Sequence, residues 1–219
     1  MQVKFLFSAP AQPTQGYFSG FLCGREKLSM NNLFVVPLLL FSALGFAQSD
    51  TWEEVKSFEG RFRVLAPGTM QLAVDTMETP VGALTYYTYY YQPPAEEKSA
   101  ENLMYMVSYC DYPEGSLHAD STELLAEFFE TTRESGAFSI NGDLIYHSER
   151  NLGDATGQYW RIDYLDGNAV LKTWALVNGR RFYSVQTATV ATRSLNRSTD
   201  RFFESFTLIE AEQPAPQKP

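Results

Sequence analysis

The stretch GQYWRIDYLDGNAVLKTWALVNGRRFYSVQTATV, residues 157–190, decides the fold. It holds three strand-like runs, at 157–165, 168–178 and 180–190, with Asp166-Gly167 and Asn178-Gly179 between them. Asp-Gly and Asn-Gly favour the left-handed backbone of tight hairpin turns, so the three runs are predicted to form an antiparallel meander. Parallel neighbours would need crossovers of a dozen or more residues. A doubly wound parallel sheet is therefore excluded.

Working outward, a fourth strand is predicted at 143–150 and a helix before it, over 121–135. Leu124, Leu125, Phe128 and Phe129 make the helix's apolar stripe, with Glu123, Glu127 and Glu130 on the other side. Asp120 precedes Glu123 by three residues, the spacing of a capping box, and Gly136 is the expected stop. Earlier strands are predicted at 52–58, 61–65, 71–79, 83–92 and 102–110. The first two form a hairpin turned by Glu59-Gly60 and ended by Pro67-Gly68, and Pro80-Val81-Gly82 turns the next pair. A polar loop runs from Pro93-Pro94 to Glu101. After the meander a second helix is predicted at 193–206, with Leu195, Phe202, Phe203 and Phe206 as its stripe. The fold class is α+β: an antiparallel sheet with an N-terminal β-hairpin, covered by helices.

The 219 residues suffice for one ordinary domain. Lys plus Arg number 17 against 26 Asp plus Glu, a net charge of -9, which argues against a nucleic-acid partner. Two cysteines exclude a disulfide-dense scaffold or a Cys-rich zinc module. Residues 30–47, MNNLFVVPLLLFSALGFA, have the apolar run and small-residue end of a secretory signal peptide. Cleavage is expected after about Ala47, and the mature protein is expected to be exported, periplasmic or secreted, and not integral to the membrane. Residues 1–29 read as an upstream extension that is not part of the mature protein, with translation starting at Met30. Removing 1–47 takes three basic side chains and one acid, leaving 14 against 25. The expected division is thus 48–211 as a single domain and 212–219 as a flexible Pro-rich tail. Only Cys110 then remains, read as a small buried hydrophobe in a strand.

Chemistry-bearing motifs are sparse. The conspicuous one is Leu84-Thr85-Tyr86-Tyr87-Thr88-Tyr89-Tyr90-Tyr91. On a strand it puts Tyr87, Tyr89 and Tyr91 on one face and Tyr86 and Tyr90 on the other. The row of three is the candidate interaction surface, since each ring joins an apolar body to a hydroxyl. The alternative is that tyrosine, a good strand former, simply packs there. His118 and His147 admit a general base or a metal pair with Asp111 or Glu114, yet no ligand-type spacing accompanies either. Asp163 and Asp166 are a weaker carboxylate pair, because Asp166 belongs to a turn. Asn196-Arg197-Ser198 matches a glycosylation sequon inside the predicted second helix. No nucleophile elbow, phosphate loop or dinucleotide fingerprint is present. No catalytic, cofactor-binding or metal residue is assigned, and no cofactor is expected.

Trp52…Phe58-Glu59-Gly60-Arg61-Phe62-Arg63-Val64…Pro67-Gly68 resembles the opening hairpin of the PsbP-like superfamily, which includes the extrinsic photosystem II protein and bacterial DcrB-type envelope proteins. Arg201-Phe202-Phe203-Glu204-Ser205-Phe206 is similar to the closing helix of its exported bacterial members. The resemblance implies an α-β-α sandwich around an antiparallel sheet and brings no shared catalytic residues. With the signal segment it points to an exported, non-enzymatic binding or assembly module of the cell envelope, whose partner is a protein or small ligand. Two other readings stay open: a hydrolase-type envelope enzyme built from scattered Asp, Glu and Tyr, or an acidic metal-binding envelope protein.

Overall fold

Both turns of the meander fold tightly, each by a different route. The structure, a computed structural model, describes residues 52–117 and 121–209. Asp166 and Gly167 both have positive φ (53° and 78°), and the Asn168 N–H donates to the Leu165 carbonyl, as a type I′ turn requires. At the second turn Asn178 pairs with Arg181, so the central residues are Gly179 and Arg180, one position later than the Asn-Gly reading. Only Gly179 is left-handed there (φ 60°), the pattern of a type II′ turn.

Among the described residues there are, besides a short 3-10 turn at Ala191–Arg193, ten strands and two α-helices. In chain order they are β1 (Glu53–Ser57), β2 (Phe62–Ala66), β3 (Gln71–Thr79), β4 (Gly82–Tyr91), β5 (Met104–Asp111), α1 (Thr122–Ser139), β6 (Asp143–Glu149), β7 (Thr156–Tyr164), β8 (Ala169–Asn178), β9 (Arg181–Val190), α2 (Arg197–Ser205) and β10 (Thr207–Leu208). Every strand pairing is antiparallel. The α+β class with antiparallel sheets therefore stands, with one correction. The N-terminal hairpin does not join the main sheet; it forms a separate three-stranded sheet, β1-β2-β10. The seven-stranded sheet runs β3-β4-β5-β9-β8-β7-β6. After β5 the chain passes through α1 to the far edge and returns by the meander, which seats β9 against β5.

The sheet has a core on each face. On one, Phe62 and Val64 of β2 and Phe202, Phe203 and Phe206 at α2 pack with Tyr105, Val107, Trp174, Tyr183 and Val185. On the other, Leu125, Phe129 and Ala137 of α1 meet Trp160, Ile162, Leu171, Val177 and Phe182. β8 serves both, and all its residues except Asn178 are buried. Among the described residues no helix is long and apolar enough to cross a membrane.

Both helix boundaries differ from the sequence reading. Ser121, not Asp120, caps α1: its Oγ accepts from the Leu124 N–H at 3.5 Å, and Asp120 lies outside the described residues. The helix also runs through Gly136 to Ser139. It ends where Asn141 turns left-handed (φ 51°), with the Gly142 N–H on the Ala137 carbonyl and the Asn141 N–H on that of Phe138. That is a Schellman closure. Burial of Ala137 against the sheet outweighs the roughly 1 kcal/mol helix penalty of Gly136. α2 starts at Arg197, four residues later than predicted, because Asn196 is its N-cap and accepts the Thr199 N–H at 2.7 Å. Leu195 consequently falls outside the helix and is 90% exposed.

Candidate functional site

β4 places its tyrosines as the period of two dictates. Tyr87, Tyr89 and Tyr91 face the core built on β2 and α2, and each is half-buried with a defined aromatic neighbour. The Tyr87 ring stacks on Tyr109 of β5 at 5.0 Å and 11°. Tyr89 meets Phe62 edge-on at 5.3 Å, and its hydroxyl is 3.1 Å from Ser57 Oγ. Tyr91 tilts against Tyr105 at 6.3 Å and lies over Gly68, where a Cβ would sit 2.5 Å from its ring. The Pro67-Gly68 element thus makes room for Tyr91. Burial above all pushes the Tyr109 hydroxyl up to about 12, so this ring stays uncharged.

Tyr86 points to the opposite face and packs with the α1 core, and burial above all raises its hydroxyl pKa. Burial pushes the Cys110 thiol up to about 12. A thiol so protonated and fully buried is a packing residue, as its sequence context suggested. Tyr90 donates to Gln71 Oε1 at 2.8 Å on the exposed outer part of the sheet.

The sequence reading passed over what lies beside this row. β3 runs along Tyr87 and Tyr89, with Val74 opposite Tyr87 and Leu72 opposite Tyr89. Cross-strand partners share a face. Leu72 and Val74 are 51% and 55% exposed, so the tyrosine row continues outward into an uncovered apolar strip. The signal was present in the sequence as alternation in residues 71–79, but alternation alone does not say whether the apolar side is covered. Lys172 was also missed: it is buried on β8, donates to the Ser194 carbonyl at 2.6 Å, and has its pKa lowered by that burial.

The polar candidates are dispersed. Asp111 is held by Arg181 through two hydrogen bonds of 2.6 Å, and this guanidinium keeps its carboxyl below the usual range. Glu114 is exposed in the loop after β5, and His147 is exposed on β6, paired in register with Trp160. Asp163 pairs with Arg161 at 2.6 and 2.9 Å, while Asp166 sits in its turn. His118 lies outside the described residues. Among those described, no three His, Cys, Asp or Glu side chains converge as a metal group would require. A hollow along α2 is lined by Arg197, Asp200, Arg201, Glu204 and Ser205, with the Arg201 guanidinium 4.6 Å from the Trp52 ring. Asn196, the sequon residue, is committed through its side chain to the α2 cap and to Asn102.

No family model matches the chain, and no curated protein matches it. Among solved structures it is similar to the solution structure of cyanobacterial PsbP (CyanoP) from Synechocystis sp. PCC 6803, with TM-score 0.47 and 13% identity. That match covers 77% of this chain and 98% of the other. A second similar structure is a Pseudomonas aeruginosa protein described as of unknown function, PA94, a putative regulator. It has TM-score 0.31 and 7% identity, and covers 65% of this chain and 85% of that one.

Proposed function

We propose that this chain is an exported, non-enzymatic binding or assembly module of the cell envelope, and that it meets a partner protein through the β3–β4 face. The observation that carries this reading is the uncovered strip of Leu72 and Val74 continuous with Tyr87, Tyr89 and Tyr91. Contiguous exposed apolar surface on a folded domain marks interaction sites, and tyrosine is among the residues that anchor them. The half-buried state of the three rings suits an anchor: packing has already fixed their orientation, so little side-chain entropy is lost on binding. The leader-like residues 30–47, which lie outside the described residues, support export. The layering, α1 on one sheet face and α2 with the small sheet on the other, supports the α-β-α sandwich of a PsbP-like domain. The test is site-specific photo-crosslinking in the envelope fraction. A crosslinking residue at Thr76 is expected to capture a protein, and one at Ile145, exposed on the opposite edge strand, is not. No capture at Thr76, or equal capture at both, removes the reading.

A further inference from the structure

The chemistry of this face selects the kind of partner, an inference that rests on the function proposed above. No Lys or Arg stands between Arg63 and Lys98, a run that contains all of β3, β4 and their turn and carries Asp75, Glu78, Glu96 and Glu97. Register puts Leu72, Val74, Thr76 and Glu78 on the face of Tyr87, Tyr89 and Tyr91, and Asp75 on the other, beside Tyr86. Burial first, then the charges of Glu97 and Glu53, raise the Tyr91 hydroxyl pKa. This rim is acidic in a chain whose net charge is already -9.

Among the described residues β3 also ends the sheet order, with β4 its one strand neighbour. An edge strand offers backbone N–H and C=O groups to an added strand. The Thr76 N–H is held at 2.9 Å by the exposed Asp75 carboxylate, a side chain that an arriving strand can displace. We propose that β3 takes up an extended basic segment of a partner protein as an additional strand. Its apolar side chains extend the Leu72–Val74 strip, while Lys or Arg on its other face meets Asp75, and a base at its end meets Glu78, which closes the apolar face. This is strand addition, in which main-chain hydrogen bonds supply affinity and alternate side chains supply specificity. A second copy of this chain fits the edge poorly, since its own β3 would bring two more carboxylates and no base.

The probe is a short labelled peptide alternating Val and Lys, with a Val–Glu peptide as control, titrated into the full chain by fluorescence anisotropy. The Val–Lys peptide is expected to bind at least about tenfold more tightly than the control, and to weaken as salt screens the attraction. Asp75→Lys with Glu78→Lys should cost at least about tenfold in affinity. Both side chains are exposed, so the melting temperature should hold. Bound peptide should protect β3 amides from hydrogen exchange and leave those of β6 unchanged. Equal binding of the two peptides, indifference to the charge reversal, or protection at β6 would overturn the inference. So would dimerisation of the chain through β3 that shuts the peptide out. If Thr76 crosslinks to a protein while the Val–Lys peptide fails to bind, the strand-addition inference falls and the interaction surface remains.

Discussion

Arg181 binds two segments with one guanidinium. It donates to Asp111 at the end of β5 and to the Glu59 carbonyl between β1 and β2, and it lies 4.9 Å from the Tyr109 ring. The sequence reading placed Asp111 among conceivable metal partners, because its actual partner lies 70 residues away, beyond what spacing can show. The pair makes a pH prediction. The Asp111 pKa is lowered in the folded chain, chiefly by the Arg181 hydrogen bonds. Its stabilisation is therefore complete above the unfolded carboxylate value of about 3.9 and is lost as pH falls through the lower folded value. Asp111→Asn is expected to cost about 1 kcal/mol at neutral pH, a figure kept small by solvent screening of a carboxylate that is 37% exposed. Melting temperatures measured across the acid range should show a shallower decline for the variant. A parallel decline in variant and parent would mean that Asp111 contributes nothing to acid unfolding.

At the scale of elements, the end of α2 joins the small sheet to the large one. Phe206 stacks on Phe62 of β2 at 5.7 Å and meets Trp174 and Tyr183 edge-on at 5.9 and 6.0 Å. Phe202 is fully buried beside it and meets Tyr105 at 5.2 Å. Phe202→Ala or Phe206→Ala is expected to cost about 3–5 kcal/mol, whereas Leu195→Ala and Arg197→Ala should stay within about 0.5 kcal/mol. Chemical denaturation of the four variants checks this. An unchanged midpoint for Phe206→Ala would make the stripe a docking surface rather than core. These phenylalanines were legible in the sequence because helical period and size agree there. Leu195 was misread because periodicity continues through a cap that only the Asn196 side chain defines. Gly136 misled in the same way: propensity marked a stop, and tertiary burial carried α1 one turn further.

For the whole molecule, local signals gave the meander, the hairpins and the antiparallel class, since turn chemistry acts between neighbours. The placement of β9 against β5, and of β10 against β2, is carried by contacts far apart in sequence, so the separate small sheet could not be read from turns. The tyrosine row was legible as a face. Its exposed continuation was not, because whether β3 is covered depends on what packs nearby. This topology fixes an order of local stability. β8 and β9 have strand neighbours on both sides and are buried almost throughout, and β5 is flanked by β4 and β9. Among the described residues β3 and β6 each have one strand neighbour, and both are exposed along most of their length. Opening an edge strand breaks one ladder and uncovers little apolar surface, whereas exposing β8 requires loss of both cores. Amide exchange is therefore expected to be slowest in β8, β9 and β5, near the limit set by global unfolding, and fastest in β3 and β6. Hydrogen-exchange mass spectrometry on the isolated chain gives the ranking directly. Protection of β3 equal to that of β8 would show that this edge is already covered in the free protein, and the face proposed for a partner would then be closed.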